Sequence, residues 1–514
     1  MSRYLTIVEV SQKQAYIFAS NKLQDNIRHS EEIVRVTSPG YFTEKCQGLF
    51  DPEKNYVYAG GGHTVLEFDS CEKAVSFNKQ LTFSVMKDYP EMELFVATMG
   101  YDEGKTPGVN LKELTKQLEA KKAERRSSFR HGSFGIEKID SYSLGPIRVS
   151  DSTGRKDETI PAYGTMIPEG FRPAYSFEDL GGTAGESSFI AVVHIDGNGM
   201  GKRVNDLYKS LDGEGLGWEE YKKRIRDFSE SMDRDFKASF TDMNRIIANA
   251  ILKGDMSELS LKGNCFPARK IIMSGDDVCF VSEGRIGIEC SRLFIEKLRE
   301  KKNPVDGKGY EACAGIAIVH RKYPFFRAYE LAESLCSNAK RMCASIDKEN
   351  NGALISAVDW HISFGELGDT VENIRGGYVT EDGKNLELRP YIIDGDENLI
   401  SLEQSRRYMN FRRIMGYLQS EDQSFARSTI KQLRNKLKQG EESTENYLRF
   451  HKVQELASRY YYDVFEPRDI SAIGKGDAGR GKLFVETYDK KQRCILFDAI
   501  EALDTFIPVG EVKA

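Results

Sequence analysis

IIMSGDDVCF, residues 271–280, sets Ser274, Gly275, Asp276 and Asp277 between two short apolar runs. Each run is too short for a helix and rich in β-formers. The stretch predicts a tight hairpin with Gly275, Asp276 and Asp277 at its tip. Turns favour these residues on their own account, so a solvated turn is the plain reading of the tripeptide. The alternative is half of a metal site, and the flanking sequence bears on the choice.

FIAVVHI (189–195) reads as a buried strand. A long helix follows, with Ile225, Phe228, Met232, Phe236, Phe240, Met243, Ile247 and Ala250 at spacings of three and four. After the hairpin come a helix at about 285–301, the strand CAGIAIVH (313–320), a helix at about 324–345 and ALISAVDW (353–360), which closes the sheet. The order β, α, β, β, α, β, α, β is ferredoxin-like with additions. Such a sheet lays the end of its first strand beside the central hairpin. Residues 1–100 repeat the outline: the strand YLTIVEV, a hairpin over 57–68 with GGGH (60–63) at its tip, a helix and the strand MELFVATMGY. A divergent internal duplication is the economical reading. The expected division is 1–100, a connecting segment over 101–188 containing a helix marked by Leu111, Leu114 and Leu118, a second unit over 189–365, and a mostly helical C-terminal part over 366–514. The fold class is α+β.

The first strand of the second unit runs into HIDGNGMGKRVND (194–206). Asp196 closes it and opens a glycine-rich turn. If Asp196 lies beside Asp276 and Asp277, three carboxylates share a small volume and raise one another's pKa. A divalent cation removes that conflict. Magnesium, or manganese in its place, takes oxygen ligands and is usually held by a few carboxylates plus substrate phosphates. Gly197, Gly199 and Gly201 suit close approach of backbone amides to a phosphate, and Lys202 follows at the helix start. Lys340, on the later helix, is placed to reach the same phosphates. Each feature alone has a bland reading: Asp196 as a helix cap, Lys340 as a solvated face residue, the glycines as a turn. Their joint placement on one topology favours a site.

With 514 residues the chain is long enough for three or four domains. Its balance of apolar and charged residues suits a soluble globular protein, and no apolar run is long enough to span a membrane. The N-terminus shows no signal-peptide pattern, so the expected location is the cytoplasm. A net charge of −6 excludes global attraction to nucleic acid. Basic residues do outnumber acidic ones over 401–460, so RNA binding would be local. The scattered cysteines lack C-x-x-C spacing and argue against a cysteine-built zinc site.

Four stretches together resemble the large, polymerase-like subunit of type III CRISPR effector complexes, whose two palm domains are related to GGDEF and class III nucleotidyl cyclases. VEVSQKQAYIFASNKLQDNIRHSEEIV (8–34) resembles the start of the first palm, and YAGGGHTVLEF (58–68) its degenerate hairpin. AVVHIDGNGMGKRVND (191–206) and IIMSGDDVCF resemble the metal-binding strand and hairpin of the second. CAGIAIVHRKYPFFRAYELAESLCSNAK (313–340) resembles the strand and helix that end in a phosphate-contacting lysine. The resemblance implies metal-binding carboxylates at Asp196, Asp276 and Asp277. It implies a triphosphate lysine at Lys340 and a nucleotide site that also includes Gly197, Asn198, Gly199, Gly201, Lys202, Ser274 and Gly275. It implies magnesium-dependent synthesis of cyclic oligoadenylates from ATP, with the first palm inert because His63 stands where a carboxylate is needed.

Ser274 and Asn198 depart from the pattern, replacing a glycine and an aspartate. The chain opens at the first palm, with no His-Asp dyad, so the nuclease domain of many relatives is expected to be missing, as are the zinc-module cysteines. Implied partners are nucleoside triphosphates, RNA with CRISPR effector subunits or a cyclic-nucleotide-responsive effector, and, as an open point, a second copy. A cyclic mono- or dinucleotide cyclase and a non-catalytic scaffold are the competing readings.

Overall fold

A computed structural model describes residues 3–124, 166–180, 188–349, 355–363, 365, 370–393, 404–419, 427–451 and 483–510. Most of the connecting segment expected over 101–188 lies outside them.

Two sheets organise the chain. The first contains β1 (Tyr4–Ser11), β2 (Tyr56–Gly60), β3 (His63–Phe68) and β4 (Glu93–Gly100) in the order β2-β3-β1-β4. The second contains β5 (Phe189–Gly197), β6 (Ala268–Ser274), β7 (Asp277–Glu283), β8 (Ala312–His320), β9 (Ala357–Ile362) and β10 (Tyr391–Ile392) in the order β10-β9-β8-β5-β7-β6. Without β9 and β10 the two orders are the same. Both are the antiparallel ferredoxin-like arrangement, and only β9 joins in parallel, beside β8. The duplicated outline read from the sequence is thus a duplicated topology.

The strands form because β-branched and other apolar residues alternate onto two covered faces. On β5, Ala191, Val193 and Ile195 face one cluster and Ile190 and Val192 the other. The second cluster also holds Val8, Val10, Leu66 and Phe68 of the first palm, so the two palms share a core across their seam.

Helix Trp218–Lys253 buries all eight residues expected from its periodicity and stops at Gly254, whose φ of 82° is the left-handed conformation that ends helices. It lies along both β6 and β2. Strand β2 is an edge, with carbonyls no neighbouring strand can satisfy. Arg226 Nε donates to Val57 O at 3.0 Å and Ser229 to Ala59 O, so the helix closes that edge with side chains. Trp218 Nε1 donates to Glu67 on β3 at 2.5 Å, and Lys222 pairs with the same carboxylate.

Helix Pro107–Ala123 packs on β1 and β4 with Leu111, Leu114 and Leu118 buried, as their spacing required. It covers the first sheet as helix Phe325–Glu349 covers the second. The C-terminal part contributes helices Tyr408–Gln419, Arg427–Lys438, Glu441–Phe450 and Phe497–Ala502, together with a two-stranded sheet that periodicity did not foretell, β11 (Phe484–Glu486) and β12 (Gln492–Cys494). Several of its basic residues serve the fold. Arg412 meets Glu289 at 3.2 Å, Arg434 meets Glu501 at 3.0 Å, and Lys431 meets Asp504 at 2.6 Å. No helix among the described residues is long and apolar enough to cross a membrane.

Candidate active site

The antiparallel register of β5 against β7 sets Asp196 directly opposite Asp277. A facing pair on one sheet face brings its Cβ atoms to roughly 5 Å. The turn that returns β6 into β7 needs a left-handed residue at its first position, and Gly275 supplies it with φ 64°. This turn directs Asp276 back over the end of β5. A Cβ on Gly197 would stand 3.0 Å from Asp276 Cβ and 3.3 Å from its Oδ2. Asp196, Asp276 and Asp277 therefore converge at one end of the sheet, as strand order required. Asp196 does not cap the following helix, whose N-cap is Gly199 with no side-chain cap.

The charges are poorly compensated. Burial and then Asp196 push Asp276 up to about 6 and Asp277 up to about 7. Asp277 Oδ1 is fully buried without a hydrogen-bond partner, while the rest of the side chain opens to the cleft. His194, two residues before Asp196 on the same face, brings its Nδ1 to 3.6 Å of that oxygen. Burial holds the imidazole below its ordinary pKa and hence neutral, so it does not pair with the carboxylate. Lys340 donates to Asp196 Oδ2 and, at 3.0 Å, to Gly197 O. Burial works against its charge, but Asp196 outweighs that and leaves it above an ordinary lysine.

The remaining expected residues divide. Ser274 pairs with Asp277 across the hairpin and Gly275 sits at the tip. Asn198 is buried. Its Nδ2 donates to Ile355 O at 2.7 Å and to Cys313 Sγ at 3.3 Å, while its Oδ1 is without a partner, so the amide anchors the turn at one end only. Gly199 has φ 67° and needs to be glycine or nearly so. Gly201 is not part of the turn: it lies inside helix Met200–Gly213 and a Cβ there would meet nothing. Lys202 is exposed on the same helix.

The oxygen donors are of the kind a hard divalent cation takes, with Asp277 Oδ1 unpartnered and both Asp276 and Asp277 raised. Among the described residues no group of three or more acidic, histidine or cysteine side chains is already drawn into coordinating geometry. Lys340 engages Asp196.

Sequence reading missed a second layer. Gln14 of the first palm donates to Tyr329 OH at 3.1 Å and to Glu333 at 2.8 Å, and Tyr329 OH lies 3.4 Å from His194 Nδ1. No local motif announces residues that meet only across the seam.

The first palm carries a counterpart of the whole arrangement. Glu9 faces His63 in the register where Asp196 faces Asp277. Lys122 holds Glu9 at 2.7 Å, as Lys340 holds Asp196. Gly62 stands in the hairpin where the second palm has Asp276. Burial pulls His63 down to about 4, so the imidazole is neutral at ordinary pH. The first palm therefore offers one engaged carboxylate where the second offers three. His63→Ala is expected to leave metal-dependent turnover within about twofold of wild type while melting slightly lower, the loss of a ring packed edge-on to Tyr58. A kinetic loss of tenfold or more in a folded variant would reverse the roles of the palms.

Residues 189–348 match the family model for the second palm domain of Cas10/Cmr2. That segment is thus of the Cas10/Cmr2 second-palm type. Among solved structures, it is similar in fold to a chain of the Csm1–Csm4 cassette bound to AMPPNP. There the TM-score is 0.53 and the identity 15%, over 98% of this chain and 70% of that one. The cassette bound to cA4 gives 0.52 and 14%, over 98% and 69%. The Csm1–Csm4 subcomplex of the type III-A CRISPR-Csm interference complex gives 0.51 and 13%, over 98% and 70%. No curated protein matches the chain in sequence.

Proposed function

We propose that the second palm joins nucleoside triphosphates, ATP before the others, into cyclic oligoadenylate-type messengers with Mg2+ or Mn2+. The observation that carries this reading is the facing pair Asp196 and Asp277 with Asp276 beside it, an oxygen cluster with far more negative charge than Lys340 balances. A scaffold gains nothing from such a cluster, because buried like charges oppose folding.

A divalent cation bound there supplies charge neutralisation at the reacting phosphate and its leaving group. Asp196, Asp276 and Asp277 are the residues that would hold it. Lys340 transfers one or more of its donors from Asp196 to the triphosphate. Glycine at 197 and 199 keeps the strand–helix turn open to a phosphate. The 3′-hydroxyl of one nucleotide attacks the α-phosphate of the next, the new ester forms as the bond to pyrophosphate breaks, and a last attack within the chain of nucleotides closes the ring.

The family of the palm supports this reading. So does the fold shared with Csm1–Csm4 structures that contain AMPPNP or cA4. The same likeness supports a place among the subunits of a type III CRISPR effector complex in the cytoplasm. The test is incubation of the purified chain with each labelled nucleoside triphosphate and Mg2+ or Mn2+, with and without RNA, and identification of products by mass. Cyclic products built of AMP units, with pyrophosphate released, are expected. Return of all four nucleotides unchanged in every condition would overturn the reading.

A further inference from the structure

Lys13 belongs to the first palm yet lies across the hairpin tip that abuts the tip carrying Gly275 and Asp276. It opens the short helix Lys13–Ile17 immediately after β1, and its Nζ donates to Gly61 O at the tip of the GGGH hairpin. Among the described residues this is its only hydrogen bond, so two of the three donors of an ammonium are uncommitted. The surroundings are built around it. A Cβ on Gly62 would stand 2.7 Å from the Nζ, and a Cβ on Gly275 would stand 3.3 Å from Gly61 N. The two hairpin tips therefore abut, with Lys13 laid across one of them. Burial lowers the pKa of Lys13, while Glu9, Asp277 and Asp276 act to raise it, yet none of the three is hydrogen-bonded to it. Glu9 is already held by Lys122.

The backbone holds Lys13 there by an uncommon conformation. Gln12 has φ 47° and ψ 40°, a left-handed position that non-glycine residues rarely adopt. In the second palm Gly199 takes the same position, three residues after Asp196, as Gln12 comes three after Glu9. One strand–turn–helix unit thus serves both palms. The residue after the left-handed position is Met200 in the second, buried in the core, and Lys13 in the first, a cation at the seam. Strain that persists in a degenerate palm marks a position the surrounding structure over-determines.

We propose that Lys13 is a phosphate-contacting residue, supplied by the first palm to the triphosphate held at the second palm's carboxylates. The first palm then contributes binding and not chemistry. This rests on the nucleotide site proposed above, but it assigns a residue that lies outside the second palm and that the sequence reading did not place in the site.

The test is the affinity of AMPPNP with Mg2+, measured by calorimetry for wild type, Lys13→Met and Lys13→Arg, beside that of adenosine, which lacks phosphates, and melting curves. Lys13→Met is expected to weaken AMPPNP by about tenfold or more, the scale of one charge-assisted contact, while adenosine affinity and melting stay as in wild type. Lys13→Arg should recover most of the loss. Unchanged AMPPNP affinity in folded Lys13→Met would overturn the proposal, and so would an equal loss for adenosine, which marks Lys13 as a tie that merely shapes the tip. If Lys13→Met does not fold, Lys13→Gln, which keeps a donor for Gly61 O, decides by the same two comparisons. Wild type that binds no AMPPNP would remove the nucleotide site itself and this residue's role with it.

Discussion

Asp277→Asn is expected to reduce nucleotide turnover by at least about a hundredfold and to make the metal-free protein melt higher at pH 8. The amide has nearly the same shape, so β5, β7 and their pairing stay in place. What goes is one charge at the reacting phosphate. Losing a single preorganised electrostatic contact in a sheltered site costs roughly 10²–10³ in rate. The stability effect has the opposite sign. Asp277 is raised in the folded state to about 7, so ionising it between the unfolded value near 4 and 7 opposes folding. Asparagine removes that opposition. Its advantage should be full at pH 8 in chelator and should shrink as the pH falls through 7 towards 4 and below, where the aspartate is protonated in both states. Adding Mg2+ should raise the melting temperature of wild type more than that of the variant. Equal turnover in the two proteins, with no pH dependence in the difference of melting temperatures, would return Gly275-Asp276-Asp277 to the status of a solvated turn.

Gly315→Ala is expected to destabilise the chain by about 3 kcal/mol or more, at the upper end of overpacking effects. Gly315 lies on β8 opposite His194. A Cβ there would stand 1.9 Å from Ala332 O and 2.3 Å from Cys336 N, and both obstacles are backbone of helix Phe325–Glu349. No rotamer change relieves such contacts, so the helix must lift from the sheet. The same helix carries Lys340 one turn beyond Cys336, and its close approach is what brings the ammonium to Asp196. Urea denaturation and turnover should therefore fall together. A variant within about 1 kcal/mol of wild type would mean that the helix seat is not fixed by this glycine.

The two hairpins, the long helix and the convergence of Asp196, Asp276 and Asp277 were legible because each rests on local signals: β-rich runs, a three–four spacing and turn chemistry, ordered by one topology. Lys340 was legible for the same reason, as it lies on the helix that topology places against β5. Asn198, Gly201 and Lys202 were read from a glycine-rich string, and a string does not say where a turn stops and a helix begins. The helix begins at Met200, which puts Gly201 on it beside Lys202, whose place at the helix start was expected, and Asn198 turns its amide towards Ile355. Lys13, Gln14 and the pair Glu9–Lys122 were hidden for a different reason. Their significance comes from register and from contact between palms, as with Gln14 and Glu333, more than 300 residues apart along the chain. The left-handed φ at Gln12 had no sequence signal, because glutamine does not advertise that conformation as glycine does at 199. The basic stretch over 401–460 drew attention to RNA, whereas Arg412 and Arg434 are spent on Glu289 and Glu501 inside the fold.

Whether these carboxylates hold a metal beside the triphosphate is decided by a crystal structure of the chain with AMPPNP and Mn2+, with the manganese located by its anomalous signal. Manganese is expected on Asp277 and Asp196, with Asp276 beside it, and the triphosphate against Lys340, now withdrawn from Asp196. Manganese absent from these carboxylates, with Lys340 still on Asp196 and the nucleotide lodged elsewhere, would contradict it.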